Sequence, residues 1–345
     1  MILVSICITL KRIKSDSLRI GFILNKVRVG IIGTGHLGRY HALNYAQIPE
    51  AALVGVTDLE PGKAQAVASE SGSTAYNDLE SLLKNVEAVS VAVPTNEHFH
   101  VCQTVLKKGI HCLVEKPIAQ NIDEANQLIA MANKKRVIFQ VGHVERFNPA
   151  ISALQGVKIE PRFIESHRLA LFNPRGTEVA VVLDLMIHDI DIILSLVKSS
   201  VQHVDASGVS VVSDSIDIAN ARIRFENGCV ANLTASRISQ KKMRKMRLFQ
   251  KDTYITIDFL QKKSEIFQLV EKGNGEGIVI GDIGIGQKKR EIIYRSPKTS
   301  QKEGLRKELE TFIQTVRGEH PPAVSGEEGR ASLSLAMIIL QQTER

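Results

Sequence analysis

The stretch Val27-Arg28-Val29-Gly30-Ile31-Ile32-Gly33-Thr34-Gly35-His36-Leu37-Gly38 decides the fold. Its first six residues read as a buried strand, and the glycines that follow have the Gly-x-Gly-x-x-Gly spacing of a dinucleotide-binding turn. Spacing alone is weak evidence, because the pattern recurs by chance. Context gives it weight: a strand precedes it, a helical stretch follows to about Tyr45, and Asp58 arrives twenty residues after Gly38 at the end of a second strand, 52–57. Each glycine has a physical task. Gly33 permits the tight turn, Gly35 lets the backbone approach a pyrophosphate, and Gly38 lets the helix lie against the strand, with helix N–H groups facing the anion. Thr34, His36 and Leu37 complete the cofactor-binding loop. Asp58 suits ribose hydroxyls and repels a 2′-phosphate, which favours NAD; Lys63 keeps an NADP option open, and an N-cap ahead of Pro61 is the other reading of Asp58.

Outward from that turn, strands and helices alternate. Helices are predicted at 61–71, 99–108 and 122–134, and strands at 88–93, 110–114 and 137–141, the rhythm of a parallel sheet with right-handed crossovers. After about residue 149 longer strands with polar and apolar alternation take over, such as 219–225 and 229–236, interrupted by an apolar helix at 179–197. A Gly-rich stretch at 273–286 reads as a long hairpin loop, and helices are predicted at 302–316 and 326–342. The expected fold is α/β: a doubly wound Rossmann domain at 27–148, then an α+β substrate domain at 149–345 with a largely antiparallel open sheet. The last helix is free to pack back on the first domain. Residues 1–26 read as an extension without catalytic content, since their apolar run is too short to span a bilayer and precedes its positive charges, the reverse of a signal peptide.

Composition narrows the function classes. With 345 residues and 43% hydrophobic content the chain has material for two cores, and 23% charged residues is ordinary for a globular protein. The net charge of +7 could serve nucleic acid, an anionic membrane or an anionic small substrate. No Trp, 5% aromatics and scattered cations argue against nucleic acid, and no membrane association is expected. The four cysteines, Cys7, Cys102, Cys112 and Cys229, form neither a metal-ligand spacing nor a disulfide framework, which fits a reducing, cytoplasmic setting.

The chemistry is read from strand ends, which in a parallel sheet face the ligand crevice. Val93-Pro94-Thr95-Asn96-Glu97-His98 follows the third strand and Glu115-Lys116-Pro117 the fourth. Asp184 and His188 lie four apart on the apolar helix, where polar groups need partners. A lysine at a strand end stabilises negative charge growing on an alcohol oxygen, and a histidine, titrating near neutrality, can accept the hydroxyl proton. The bland readings are a surface lysine before a turn and a buried, satisfied Asp/His pair.

From Val27 to the C-terminus the chain resembles the Gfo/Idh/MocA family of oxidoreductases. The resemblance rests on the Gly-rich turn, the Pro-Thr-x-x-x-His stretch, Glu-Lys-Pro and the Asp-x-x-x-His helix, in the family's order. It implies Lys116 beside substrate and nicotinamide, His188 as proton acceptor and Asp184 orienting substrate or base. Pro94, Thr95, His98, Glu115 and Lys116 then join the turn residues and Asp58 as the cofactor site. His188, Asp189 and Asp191 could suggest a metal, but hydride transfer to NAD needs none, and no metal is expected.

Gly142-His143-Val144-Glu145-Arg146-Phe147-Asn148-Pro149 is a dense polar cluster after the fifth strand, where Arg146 and Asn148 are candidate contacts for substrate hydroxyls and the cofactor, and His143 is either such a contact or only a turn residue. With His167-Arg168-Leu169 and Asn232-Leu233-Thr234-Ala235-Ser236-Arg237 its wording is similar to family members that oxidise C3 of UDP-N-acetylglucosamine on the route to the diamino sugars of lipid A. That implies a sugar-nucleotide substrate met by Arg146, Asn148, Arg168, Asp184, His188 and Arg237. The cations Arg237, Lys241, Lys242, Arg244, Lys245 and Arg247 would suit its diphosphate, or form a solvated strand face. An inositol, a free sugar or another UDP-hexose remains the alternative substrate, and a non-catalytic NAD-binding regulator the alternative class. A homo-oligomer, dimer or tetramer, is expected from the open sheet face.

Overall fold

The computed structural model describes residues 26–174, 177, 179–284, 289–300 and 303–343. Residues 1–25 of the expected extension lie outside the described residues. The first sheet is parallel, with strand order β3-β2-β1-β4-β5-β6. Its strands are β1 (Val27–Ile32), β2 (Ala51–Thr57), β3 (Thr74–Tyr76), β4 (Ala88–Val91), β5 (His111–Glu115) and β6 (Phe139–Gly142). Helices α1 (His36–Tyr45), α2 (Pro61–Ser71), α3 (Leu79–Leu83), α4 (Thr95–Lys107) and α5 (Ile122–Lys135) make the crossovers. The order reverses between β1 and β4, so a crevice opens at their carboxyl ends. β3 and α3, only three and five residues long, carry too short a pattern for sequence reading to find.

A 3-10 turn (Val144–Phe147) and α6 (Pro149–Ser152) lead into a second sheet. It has nine strands in the order β14-β15-β13-β12-β11-β7-β10-β9-β8. They are β7 (Phe163–Leu169), β8 (Val201–Val209), β9 (Ile218–Phe225), β10 (Val230–Ser236), β11 (Met243–Gln250), β12 (Thr253–Asp258), β13 (Lys263–Glu271), β14 (Ile278–Ile283) and β15 (Arg290–Arg295). Among the described pairs only β7 with β10 is parallel. β14 corrects the expected hairpin loop: Ile278-Val279-Ile280 is a β-branched run that adds an edge strand to β15, despite its glycine neighbours. Alternation along β7 sends Ile164, Ser166 and Arg168 inward and leaves Phe163, Glu165 and His167 on the open face.

The apolar helix begins as a π turn, Val182–Met186, and continues as α7, Ile187–Val197. It packs with Ile164, Ala221, Ile223 and Leu233 of the second sheet in one core. α8 (Gly304–Val316) lies against α1, and α9 (Gly326–Thr343) touches β8 and α7 on one side and α5 and β6 on the other. The C-terminal helices therefore tie the two sheets together. No helix among the described residues is long and apolar enough to cross a membrane.

Candidate active site

The turn after β1 is closely packed. Gly33 has φ of +89°, and a Cβ on it would lie 2.6 Å from the Ala92 carbonyl oxygen. A Cβ on Gly38 would lie 1.8 Å from the Gly33 carbonyl oxygen, so only glycine lets α1 start against the strand. Gly35 differs: a Cβ there would meet nothing within 4 Å, and the position faces open space. As N-cap of α1 it brings no side-chain cap, which leaves the first N–H groups of the helix to a ligand. These features fit a dinucleotide pyrophosphate. His36 and Leu37 are exposed on the same turn, and Thr34 is buried.

Asp58 follows β2 and fastens the turn. Its Oδ2 accepts from the Thr34 N–H at 2.6 Å and the Thr34 hydroxyl at 2.8 Å, and its Oδ1 from the Glu60 N–H at 2.9 Å. These hydrogen bonds outweigh partial burial and hold its carboxyl below the usual aspartate range. Beside it lies a cavity of about 300 Å³ lined by Asp58, Gly62, Tyr76 and Asn77, room for an adenosine end. Lys63 is paired with Glu60 at 2.5 Å, so two carboxylates flank the place where a 2′-phosphate would need cations.

At the ends of β4 and β5 the loops are stapled together. His98, buried in the first turns of α4, places Nδ1 2.8 Å from the Pro117 carbonyl and Nε2 3.0 Å from that of Val93. Pro94 caps α4 and is exposed; Thr95 and Pro117 line a cavity of about 680 Å³ shared with Leu183, Ser215 and Ile216 of the second unit. Glu115 is buried, with Oε1 2.9 Å from His41 Nε2 on α1. Burial would raise its pKa, but His41 and Lys116 bring it below the ordinary glutamate value.

Lys116 Nζ donates to the backbone carbonyl of Asp184 at 2.8 Å and stands 3.7 Å from its carboxylate. The π turn is the local reason: it shifts carbonyls off the regular α ladder, a feature common at functional sites. Asp184, four residues before His188, consequently belongs to a different helical geometry from α7, and its side chain is half exposed. Burial pulls the Lys116 pKa down, against the carboxylates of Asp184 and Glu115. Burial, then the charges of Lys116, Arg168 and Arg244, hold His188 well below the ordinary histidine value, so its ring is neutral and able to accept a proton.

Four expected substrate contacts are engaged within the protein. Arg168 is buried, giving Nε and Nη2 to Asp189 at 3.0 and 2.8 Å and Nη1 to Glu145 at 2.9 Å. Arg146 gives Nε and Nη2 to Asp191 at 2.7 and 2.8 Å, and Nη1 to Glu328 at 2.8 Å. Asn148 starts α6, accepting from the Ala150 N–H, and donates to Glu145. Arg237 is buried, donating to the Val179 carbonyl and facing Asp217. In the basic cluster Arg244, Lys245 and Arg247 pair with Glu145, Asp258 and Glu165, while Lys241 and Lys242 are exposed. His143, open in the sequence between a contact and a turn residue, stands edge-on to His188 with ring centroids 6.5 Å apart. Its position in the polar cluster after β6 was the one available signal.

Comparison with known proteins finds a family and several relatives. Residues 27–143 match the GFO_IDH_MocA model, described as an oxidoreductase family with an NAD-binding Rossmann fold, and residues 166–256 match the GFO/IDH/MocA C-terminal domain. The UDP-N-acetylglucosamine 3-dehydrogenase of Acidithiobacillus ferrooxidans is 37% identical over 314 residues, 91% of this chain and 96% of that protein. A solved structure of UDP-N-acetylglucosamine 3-dehydrogenase GnnA from the same organism superposes with a TM-score of 0.84, covering 93% of this chain and 98% of that one. The myo-inositol 2-dehydrogenase of Thermotoga maritima is 26% identical over 336 residues, 92% of this chain and 96% of that protein.

Proposed function

The chain belongs to the Gfo/Idh/MocA family of NAD-binding oxidoreductases, and we propose that its own reaction is the NAD-dependent oxidation of the C3 hydroxyl of UDP-N-acetylglucosamine to the 3-keto sugar. The observation that carries this reading is Lys116, at the carboxyl end of β5 in the sheet that carries the glycine turn, fixed on the Asp184 carbonyl at 2.8 Å, with His188 one turn beyond Asp184. NAD on that turn supplies the hydride acceptor. Lys116 stabilises the oxygen as its negative charge grows, in a setting that burial makes electrostatically strong. His188, neutral at rest, takes the hydroxyl proton. Asp184, half exposed beside both, orients the sugar.

The 37% identity to a UDP-N-acetylglucosamine 3-dehydrogenase along nearly the whole chain favours a sugar nucleotide. With Arg146, Arg168 and Arg237 held inside the protein, Lys241 and Lys242 are the cations we assign to the diphosphate. The same internal pairing favours a second reading, a neutral polyol such as an inositol. A panel of UDP-sugars, free sugars and inositols, followed by NADH absorbance, separates them: turnover confined to UDP-N-acetylglucosamine is expected, and turnover of free inositol alone would overturn the reading.

We further take 27–148 as the cofactor unit and 149–345 as the substrate unit of a cytoplasmic enzyme. Across the open face of the second sheet Phe163, Phe249, Tyr254, Phe267 and Tyr294 form a continuous row, with neighbouring ring centroids between 4.8 and 5.8 Å apart. Such a row on a sheet face suits pairing with a second copy. Light scattering checks it: a dimer or tetramer is expected, and a strict monomer contradicts it.

A further inference from the structure

Beside the groups already assigned lies a second histidine without a partner. His143 is 1% exposed, and neither of its ring nitrogens makes a hydrogen bond among the described residues. The Nδ1 of His188 is likewise buried and unpartnered, whereas its Nε2 is not among the buried unpartnered atoms. Buried polar atoms in native proteins are nearly always satisfied, so two such rings set edge to face call for an intervening group. Their centroids stand 6.5 Å apart at an interplanar angle of 86°. That puts the nitrogens beyond direct hydrogen-bond reach of about 3.2 Å, so a proton passing between the rings needs a carrier such as a water.

The two rings differ in their charged surroundings. Burial weighs most on His188, and the charged groups beside it, Lys116, Arg168 and Arg244 with the His143 ring, all oppose a positive charge there. Burial lowers the His143 pKa as well, but its ring faces carboxylates in addition to cations: Asp191 and His188 from α7, Arg146 from its own turn, and Glu115 and Lys116 at the end of β5. Its Nδ1 stands 3.7 Å from Asp191 Oδ2. Asp191 is fixed by Arg146 and by the Ser332 hydroxyl at 3.2 Å, and Arg146 reaches on to Glu328, whose side chain is 43% exposed. A positive charge is therefore better matched on His143 than on His188.

We propose that His143 receives the proton that His188 collects, through a water held between the rings; this rests on the assignment of His188 as base. The resting His188 carries its proton on Nδ1. As the hydroxyl proton is transferred to Nε2, the Nδ1 proton leaves to the water, and the water gives one of its protons to His143. One N–H bond forms and one breaks on His188, which ends neutral as the other tautomer. The charge rests on His143 opposite the Asp191 carboxylate, and no redox partner beyond the dinucleotide is needed. His143 is thus a positioning residue that acts through His188 and touches no substrate.

Single-turnover reduction of NAD by UDP-N-acetylglucosamine, followed as NADH in mixtures of H₂O and D₂O, tests this with the wild type, His143→Gln and His188→Asn. His143→Gln is expected to slow the step on the order of 10²-fold, with both KM values within about twofold. The curved dependence of rate on deuterium fraction in the wild type, the sign of more than one moving proton, becomes linear in His143→Gln. Unchanged curvature, or a loss confined to KM, overturns the proposal and leaves His143 a packing residue. A His188→Asn enzyme as fast as the wild type removes instead the assignment beneath it. If His143→Gln does not fold, a wild-type crystal structure at high resolution decides: an ordered water within hydrogen-bond distance of His188 Nδ1 and the His143 ring is expected, and a dry gap contradicts it.

Discussion

The glycine turn after β1 and the ion-paired ground around Arg168 are built by opposite means. The turn is made of backbone: three glycines, an uncapped helix start and one aspartate that clamps Thr34. The other region is made of long side chains, with Arg168 held by Glu145 and Asp189, and Arg146 by Asp191 and Glu328. The first presents unsatisfied donors to an anion. The second satisfies nearly all its charges internally and supplies rigidity and field to Lys116 and His188. A ligand site, in other words, is marked by what is left unpaired, and its supporting wall by what is not.

The largest effect should come from breaking the wall. Arg168→Met leaves the buried Asp189 without its cation and Glu145 with Arg244 alone, a loss of about 3–5 kcal/mol, visible as a lower urea midpoint; an unchanged midpoint would mean the network contributes little. Lys116→Met should instead spare the fold and lower kcat about 10²–10³-fold, with NAD affinity retained. A fall in NAD affinity without loss of kcat would move Lys116 from the chemistry to cofactor binding.

The turn is sharpened by a pair of glycines. Gly35→Ala meets no protein atom and Gly35 already has φ of −64°, so thermal stability should hold while NAD binding weakens about tenfold, or 1.4 kcal/mol. Gly38→Ala must displace the Gly33 carbonyl and should lose stability and binding together. Equal effects of the two changes would contradict the open-side assignment of Gly35. The smallest effect is in pH. His188 must be neutral and sits below the ordinary value of 6.5, so the acid limb of kcat/KM should fall below pH 6.5. Lys116 must be charged and burial lowers it from 10.5, so the alkaline loss should begin before pH 10.5. A plateau starting above pH 7.5 would contradict this order.

The same contrast decided what the sequence could reveal. Gly33, Gly35, Gly38 and Asp58 carry local spacing rules, and α2 begins and ends where its proline and the αL glycine Gly72 indicate. Lys116 and His188 stand in short motifs, so their resemblance to an oxidoreductase family was readable. The partners of Arg168 are 21 and 23 residues away, and no periodicity announces such pairs. The π turn was equally silent, because an apolar run looks the same whether carbonyls bond four or five residues ahead. For that reason Arg146, Arg168 and Arg237 read as ligand contacts in one dimension and are found partnered within the protein in three. The sequence left His143 open between a contact and a turn residue because only the packing of α7 brings His188 against it.

The claim at the centre is that the hydrogen on C3 of the sugar leaves as hydride for a nicotinamide held by the glycine turn. UDP-N-acetylglucosamine deuterated at C3, incubated with the protein and NAD and analysed by mass spectrometry, tests it directly. The account predicts NADH carrying one deuterium and a UDP-sugar lighter by it. Unlabelled NADH, or label that stays on the sugar while NAD is reduced, would contradict it.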